Sequence, residues 1–213
     1  MNKIEHPAKF SKPILDFLDK RLPVDGIILD VFAGVGTLRN IRKSALLIEI
    51  EPEWGKIGGA IIGDSRNLPF LNKTIDCVCT SPTYGNRMAD SFTDHQKEKK
   101  YKRNTYTHKL GRKLTNGNSG CLHFGEEYKK LHERVWLEVS RVLKRNGLFY
   151  LNISNFIKNG KEVDVCSWHK NFIVDIGFSL ESEHEIKTKR NGFGANRNAR
   201  VGHEMIYIFK NLF

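Results

Sequence analysis

Glycines and acids stand where three short apolar strands are expected to end. In the run LDVFAGVGTL, Gly34 and Gly36 directly follow a buried strand. Glycine lets the backbone approach a ligand closely, and open α/β sheets bind ligands beyond the carboxyl ends of their strands. Glu49 and Asp64 close the next two strands along the chain. A glycine turn followed by an acid at the end of the second strand is typical of a nucleoside site, because the carboxylate can hold the ribose hydroxyls.

Three kinds of site compete for this glycine turn. A P-loop has a lysine directly after its last glycine, and no lysine follows Gly36. A dinucleotide site has a third glycine where this chain has Arg39, so it fits poorly. A nucleoside site without pyrophosphate requires neither that lysine nor a third glycine. In that case Glu49, or Glu51 on the same face, would hold the ribose, and Asp64 would accept a hydrogen bond from an adenine amino group.

A fourth expected strand, 75–81, runs into the sequence Ser81, Pro82, Thr83, Tyr84. Serine and proline favour turns, so this segment alone predicts an ordinary β-turn. Its position after a strand, in series with three other polar strand ends, makes it a candidate part of the same site.

The chain is basic and long enough for one well-buried domain, which we expect to span residues 1–213. It carries 35 Lys and Arg against 24 Asp and Glu, a formal net charge of +11. Such a chain adheres to polyanions, and nucleic acid is therefore the favoured partner. The alternative is a charge that serves solubility alone.

Alternating apolar elements predict an α/β fold with a mostly parallel sheet and right-handed crossovers. The expected helices are 14–22, 126–147, with Gly147 as its C-cap, and 162–177, ended by Gly177. The expected strands are 27–34, 45–51, 60–64, 75–81 and 148–154, followed by an antiparallel pair over 178–189 and 203–210.

Residues 85–125 interrupt this alternation with no strong periodic element. Between Gly85 and Asn118 there are nine Lys or Arg and three Asp or Glu. Cations that neutralise phosphates and rings that stack on bases suit a nucleic-acid surface, whereas the plainer interpretation is a solvated loop. A second basic segment, 186–202, joins the last two strands. The aromatic residues interleaved between Gly85 and Asn118 are Phe92, Tyr101 and Tyr106.

The cysteines and the N-terminus indicate an intracellular protein. The four cysteines contain no C-x-x-C pair and no His cluster has zinc spacing, so we expect free thiols, a reducing cytoplasm and no metal. Cys77 and Cys79 lie two apart on a strand and are expected in the core. The start MNKIEHPAKF lacks the apolar region of a signal peptide, and no run approaches about 20 apolar residues, so neither secretion nor a membrane span is expected.

Four segments, DVFAGVGT, LIEIEPEW, GDSRNLPF and TSPTYG, resemble in that order the S-adenosylmethionine-dependent amino-methyltransferases of nucleic acids. They are most similar to DNA methyltransferases acting on cytosine N4 or adenine N6, including small phage-type ones and those of restriction-modification systems. HPAKFS (6–11) resembles the N-terminal cofactor-contacting motif of the cytosine group. The resemblance covers nearly the whole chain. It implies a Rossmann-like class I methyltransferase fold, with a seven-stranded, mostly parallel sheet, a reversed last strand and helices on both faces.

In that family the motif [S/D/N]-P-P-[Y/F/W] holds a base that has swung out of the duplex. The resemblance implies that Ser81 Oγ and the Pro82 carbonyl accept hydrogen bonds from the target amine and that Tyr84 stacks on the base. Thr83 departs from the family, which usually has proline there; proline would fix φ, so the loop is expected to be less pre-organised. The cofactor-binding residues that the resemblance implies are His6, Lys9, Phe10, Asp30, Phe32, Gly34, Gly36, Thr37, Glu49, Asp64 and Ser65.

The resemblance does not decide whether the methylated polymer is DNA or RNA. DNA is the expected substrate, and a serine in the first motif position leans toward cytosine. One alternative is an RNA enzyme, since tRNA guanine-amino methyltransferases share the architecture but usually carry an added RNA-binding domain. The other is a nucleic-acid-binding protein on a catalytically weak methyltransferase scaffold. The cations expected to contact DNA are Arg87, Lys102, Arg103, Arg112, Arg190 and Arg197.

Overall fold

A computed structural model describes residues 5–86, 105–188 and 201–213. The helices are Lys12–Asp19 (α1), Pro52–Gly58 (α2), Tyr106–Leu110 (α3), Glu126–Val142 (α4) and Val165–Asp175 (α5). The strands are Ile28–Asp30 (β1), Leu46–Glu49 (β2), Ile61–Ile62 (β3), Ile75–Thr80 (β4), Leu143–Ile153 (β5), Phe156–Lys158 (β6), Lys161–Val163 (β7), Phe178–Lys187 (β8) and His203–Asn211 (β9).

Seven of these strands form one sheet in the order β3-β2-β1-β4-β5-β9-β8. The pairs from β3 to β5 are parallel, and β9 runs antiparallel to both of its neighbours. The predicted seven-stranded sheet with a reversed strand is therefore confirmed. Because parallel strands end at one edge, the segments that follow β1, β2, β4 and β5 meet there.

Helices cover both faces of the sheet, as expected. On one face α4 and α5 pack on the strands, with Trp136 fully buried beside Phe149. On the other face α1 contributes Ile14 and Leu18 to a second core. The expected core position of Cys77 and Cys79 is confirmed, since both lie in this second core with free, buried thiols.

The helix predicted over 126–147 was too long, and Gly147 is not its C-cap. The helix ends at Val142, and Leu143 already pairs with Ile75 in the sheet. The apolar period of the helix continues through Leu143, which is why the pattern hid the change. Gly147 lies against the neighbouring strand, where an added Cβ would be 2.9 Å from the Asp76 carbonyl oxygen.

A small hairpin was missed. Strands β6 and β7 pair across a tip at Asn159 and Gly160, which have positive φ angles of 52° and 75°. The helix predicted over 162–177 therefore begins at Val165, where the Asp164 side chain accepts a hydrogen bond from the Ser167 amide at 3.0 Å.

Other differences are smaller. The strand expected over 27–34 ends at Asp30, because the chain turns there, and β3 is only two residues long. Within the segment 85–125, expected to lack regular structure, the described part contains the five-residue helix α3 and a 3-10 turn, Ser119–Cys121.

Candidate active site

A cavity of about 700 Å³ opens at the carboxyl edge of the sheet. It has the size of a small-molecule site. Of the residues predicted to bind the cofactor, Asp30 and Gly36 are not in its wall. The predicted residues that line it are His6, Lys9, Phe10, Phe32, Gly34, Thr37, Glu49, Asp64, Ser65, Ser81, Pro82 and Tyr84.

The two glycines of the turn, Gly34 and Gly36, have different neighbours and different structural roles. Both have a positive φ, 54° at Gly34 and 75° at Gly36, a conformation that glycine adopts at little cost. A Cβ at Gly34 would lie 3.1 Å from the His6 ring, so this glycine shapes the cavity. A Cβ at Gly36 would lie 2.9 Å from Leu47 and 3.0 Å from the Gly58 backbone, so this glycine permits close packing of α2.

Asp30 stabilises the wall from behind. Its side chain is 1% exposed, and Oδ1 accepts hydrogen bonds from the Phe32 amide at 3.0 Å and from Thr80 Oγ1 at 2.6 Å. The bond to Thr80 joins the carboxyl ends of β1 and β4. Burial raises the pKa of Asp30 to about 6, although these hydrogen bonds lower it.

Glu49 holds the glycine turn against the end of β2. Its two carboxylate oxygens accept hydrogen bonds from the amides of Gly34 at 2.8 Å and Glu51 at 2.9 Å. Burial raises the pKa of Glu49 to about 7. The carboxylate therefore stands in the cavity wall at the position expected of a ribose ligand.

Glu51, the alternative ribose ligand, instead ties the basic segment to the sheet. It is fully buried and accepts hydrogen bonds from the Thr115 amide at 2.7 Å and Asn118 Nδ2 at 2.8 Å. Arg112, expected to contact DNA, lies 2.8 Å from Glu51 and 2.5 Å from Glu53. These bonds fix the segment 112–119 over the cavity, and its residues Gly117, Asn118 and Ser119 line the wall.

Three aromatic rings form another part of the wall. The His6 ring stands edge-on to Trp54, with ring centroids 4.4 Å apart, and lies 5.5 Å from Tyr106 of α3. Burial lowers the pKa of His6 to about 4, so it is neutral at pH 7. The N-terminal motif, α2 and the basic segment thus meet at one place.

Beyond β4, Ser81 and Tyr84 belong to a cluster of four polar side chains. Asn152 Nδ2 donates to Glu204 Oε2 at 2.7 Å and to Ser81 Oγ at 3.2 Å. The Tyr84 hydroxyl donates to Glu204 Oε2 at 2.9 Å and lies 3.3 Å from Ser81 Oγ. Ser81, Pro82 and Tyr84 all line the cavity.

Thr83 is anchored through a buried chain of hydrogen bonds. Trp136 Nε1 donates to His169 Nδ1 at 3.0 Å, which places the imidazole proton on Nε2. His169 Nε2 lies 2.9 Å from the Tyr128 hydroxyl, which donates to the Thr83 carbonyl at 2.5 Å. Burial lowers the pKa of His169, keeping it neutral. On its other side, Thr83 Oγ1 donates to Ser119 Oγ at 2.9 Å.

Comparison with known proteins identifies the family. The family model N6_N4_Mtase, described as DNA methylase, matches residues 75–211, from β4 to the end of β9. The chain belongs to this DNA methylase family. The matched range contains Ser81, Pro82 and Tyr84.

Solved structures share the fold of this methylase at low sequence identity. A methyltransferase from Methanosarcina mazei, described as SAM-dependent, has a TM-score of 0.60 at 12% identity and covers 92% of this chain and 97% of its own. The PH0226 protein of Pyrococcus horikoshii has a TM-score of 0.56 at 15% identity, with 92% and 86% covered. An S-adenosylmethionine-dependent methyltransferase from Listeria monocytogenes has a TM-score of 0.54 at 10% identity, with 92% and 95% covered. A search of curated protein sequences finds no significant match.

The chain is a methyltransferase with S-adenosylmethionine as its cofactor, and the residues that line the cavity fit that molecule. Three buried polar atoms of cavity residues, Ser11 Oγ, Trp54 Nε1 and Thr188 Oγ1, have no hydrogen-bond partner within the described ranges. Unpaired buried polar atoms are costly, and a polar nucleoside with an amino-acid chain can satisfy them. The His6 ring lies against Gly34 and closes the wall there, and Glu49 presents a carboxylate.

Sequence reasoning missed several residues of the cavity wall and of the polar cluster around Ser81. Glu204 carried a usable signal, because it is in phase with Ile206 and Ile208 on the buried side of a strand. An acid at such a position requires polar partners. Trp54 and Asn152 had no comparable signal, since a tryptophan in a helix and an asparagine near a strand end are ordinary.

Five of the predicted DNA contacts of the methylase remain predictions. Arg87, Lys102, Arg103, Arg190 and Arg197 lie outside the described residues.

In the part of the chain that is described, no helix is long and apolar enough to cross a membrane. In that same part, no three His, Cys, Asp or Glu side chains are grouped to hold a metal ion.

Proposed function

We propose that the protein transfers a methyl group from S-adenosylmethionine to the exocyclic amine of a base swung out of DNA, at cytosine N4 or adenine N6. The observation that carries the proposal is that Ser81, Pro82 and Tyr84 share one cavity with Gly34 and Glu49. Membership of a DNA methylase family supports DNA as the polymer. We favour cytosine because the motif begins with serine, and we propose a cytoplasmic location.

The cofactor would occupy the part of the cavity beside the glycine turn. There the His6 ring lies against Gly34, Glu49 would accept hydrogen bonds from the ribose hydroxyls, and Asp64 would accept one from the adenine amine. When bound, S-adenosylmethionine supplies an electrophilic methyl group on a sulfonium. The aromatic wall of His6, Trp54 and Tyr106 would keep water from that region.

The three motif residues would prepare the target amine. Its lone pair is delocalised into the base, so it is a poor nucleophile. Ser81 Oγ and the Pro82 carbonyl would each accept a hydrogen bond from one N–H group of the amine. These bonds would favour a pyramidal nitrogen with its lone pair directed at the methyl carbon. Tyr84 would stack on the base. Rate enhancement would come from positioning and electrostatics more than from general-base chemistry.

Expression in a methylation-free bacterial host, followed by single-molecule sequencing of its DNA, tests the proposal. We expect modified cytosine or adenine in a defined sequence context. Ser81→Ala should lower the modification at least about 100-fold, since it removes an acceptor at the reacting nitrogen. Unmodified DNA together with methylated tRNA would show the RNA alternative, and no methylation of either polymer would show a binding protein.

The basic residues that flank the motif are proposed as DNA contacts. Arg87, Lys102, Arg103, Arg190 and Arg197 would neutralise phosphates or read bases. Arg112 is instead proposed to hold the segment 112–119 over the cavity, because its guanidinium is paired with Glu51 and Glu53.

A further inference from the structure

Glu204 is a buried acid at the place where the methylated amine is expected. It lies near the start of β9, lines the cavity and is 8% exposed. Its Oε2 atom accepts hydrogen bonds from the Tyr84 hydroxyl at 2.9 Å and from Asn152 Nδ2 at 2.7 Å. An acid in this position is costly to bury, which indicates a role in the site.

Two hydrogen-bonded bridges connect Glu204 to Ser81. One passes through Asn152 Nδ2, which lies 3.2 Å from Ser81 Oγ, and the other through the Tyr84 hydroxyl, 3.3 Å from the same atom. Because a carboxylate can only accept, the Tyr84 proton is directed to Glu204. The Tyr84 oxygen then accepts the Ser81 proton, and a lone pair of Ser81 Oγ remains for the amine.

Methyl transfer moves positive charge toward this cluster. The lone pair of the amine forms the N–C bond, the electron pair of the broken C–S bond stays on sulfur, and the nitrogen gains the positive charge until its proton leaves to water. An anion held near that nitrogen stabilises the transition state more than the ground state.

We propose that Glu204 is a positioning residue that supplies this negative charge from behind Ser81, to which it is connected through two successive hydrogen bonds. The inference rests on the proposed function. Members of the family that begin the motif with aspartate have a carboxylate at the first position itself, whereas Ser81 is neutral. In this chain the carboxylate has instead come from the reversed strand.

The test compares Glu204→Gln with wild type and with Glu185→Gln, a control at an exposed position of the neighbouring strand β8. We expect Glu204→Gln to lower kcat on unmethylated DNA about 10- to 100-fold, with KM nearly unchanged. Calorimetry should show that its preference for S-adenosylmethionine over S-adenosylhomocysteine, whose sulfur carries no charge, falls about 3- to 10-fold. Glu185→Gln should change neither quantity.

A carboxylate moved into the motif should rescue the variant. Ser81→Asp combined with Glu204→Gln should be at least about tenfold faster than Glu204→Gln alone. Ser81→Asp with Glu204 intact should be slower than that double variant, because two adjacent carboxylates repel each other. Wild-type kcat and ligand preference in Glu204→Gln, or no rescue, would overturn the inference. The calorimetry needs no DNA, so an inactive wild type would count against the proposed function and leave this inference to be decided by binding.

Discussion

Asp30 shows how one carboxyl group can matter to the site without lining it. Sequence patterns grouped it with the cofactor ligands, yet it lies behind the wall, where it joins β1 to β4 through Thr80. Both of its hydrogen bonds end on a single oxygen, Oδ1. An amide oxygen at the same place can accept both.

Asp30→Asn should therefore stabilise the cofactor-free protein at high pH. The pKa of Asp30 is about 6 in the fold, against an ordinary value of 3.8. Stability that the protonated acid contributes below its unfolded pKa is lost as pH rises through about 6. We expect the free energy of unfolding of the variant to exceed that of wild type by about 2 to 3 kcal/mol at pH 8 and by little at pH 4. Urea unfolding at both pH values measures this, and an equal difference at the two would contradict it.

Gly34→Ala should separate cofactor binding from backbone strain. The added Cβ would meet the His6 ring at 3.1 Å. Gly160→Ala is a matched control, because its φ of 75° is also positive but nothing lies within 4 Å. Both variants should lose about 1 to 2 kcal/mol of stability. Only Gly34→Ala should lower the affinity for S-adenosylmethionine, by at least about tenfold in calorimetry. Equal affinities of the Gly34→Ala and Gly160→Ala variants for S-adenosylmethionine would show that the close approach of His6 to Gly34 does not matter for cofactor binding.

At the scale of elements, the segment 112–119 closes one side of the cavity because Glu51 and Arg112 hold it there. Arg112→Ala would leave Glu51 buried without its cation, although Thr115 and Asn118 still donate to it. We expect a loss of about 1 to 3 kcal/mol in stability and weaker cofactor binding.

Thermal unfolding and calorimetry measure both effects of Arg112→Ala. Arg134→Ala, on the exposed side of α4, is the control and should change neither. If the Arg112 variant instead lost only DNA affinity, with stability and cofactor binding intact, the original expectation of a DNA contact would be correct.

The helices α4 and α5 position the motif through Tyr128 and His169. Tyr128→Phe leaves the Thr83 carbonyl without its donor, so we expect kcat to fall about tenfold as the loop loosens. Thr83→Pro restricts the same part of the backbone by fixing φ at residue 83. It should therefore restore most of the rate in the Tyr128→Phe protein. A double-mutant cycle of kcat values measures this coupling. Additive effects would indicate that the two residues act independently.

The elements were predictable where pattern and burial agree. Buried β1, β2 and β4 and the long stripe of α4 followed from apolar residues alone. The end of α4 did not, because Leu143 satisfies the helical period and the sheet register equally well. The hairpin β6–β7 was hidden because its strands are three residues long. The motif residues Ser81, Pro82 and Tyr84, predicted from sequence, line the cavity. The link from Thr83 to His169 joins positions 86 residues apart and depends on packing that no local pattern records.

At the scale of the whole molecule, the net charge of +11 predicts salt-sensitive binding to DNA. Charge reversal by Arg103→Glu and Arg190→Glu should weaken binding and reduce the slope of log affinity against log salt by about 1.8 if each contacts a phosphate. Fluorescence anisotropy with duplex DNA over a salt series measures it.

Lys43→Glu with Arg145→Glu provides the matched control for that experiment. Both residues are exposed and lie at the amino edge of the sheet, opposite the cavity. The pair alters net charge by the same amount, so an equal loss of slope would mean that only overall charge matters and that no particular cations bind DNA.

The attachment of the basic segment to Glu51 gives a structural reason to expect coupling between cofactor binding and DNA binding. One covalent stretch carries cations proposed for DNA at its start and the roof of the cofactor cavity at its end. If binding at one part favours binding at the other, linkage makes the benefit mutual. Cofactor and duplex should accordingly assemble with positive cooperativity, and departure of the spent cofactor should require the Arg112 contacts to open, making product exit a natural candidate for the slow step of turnover.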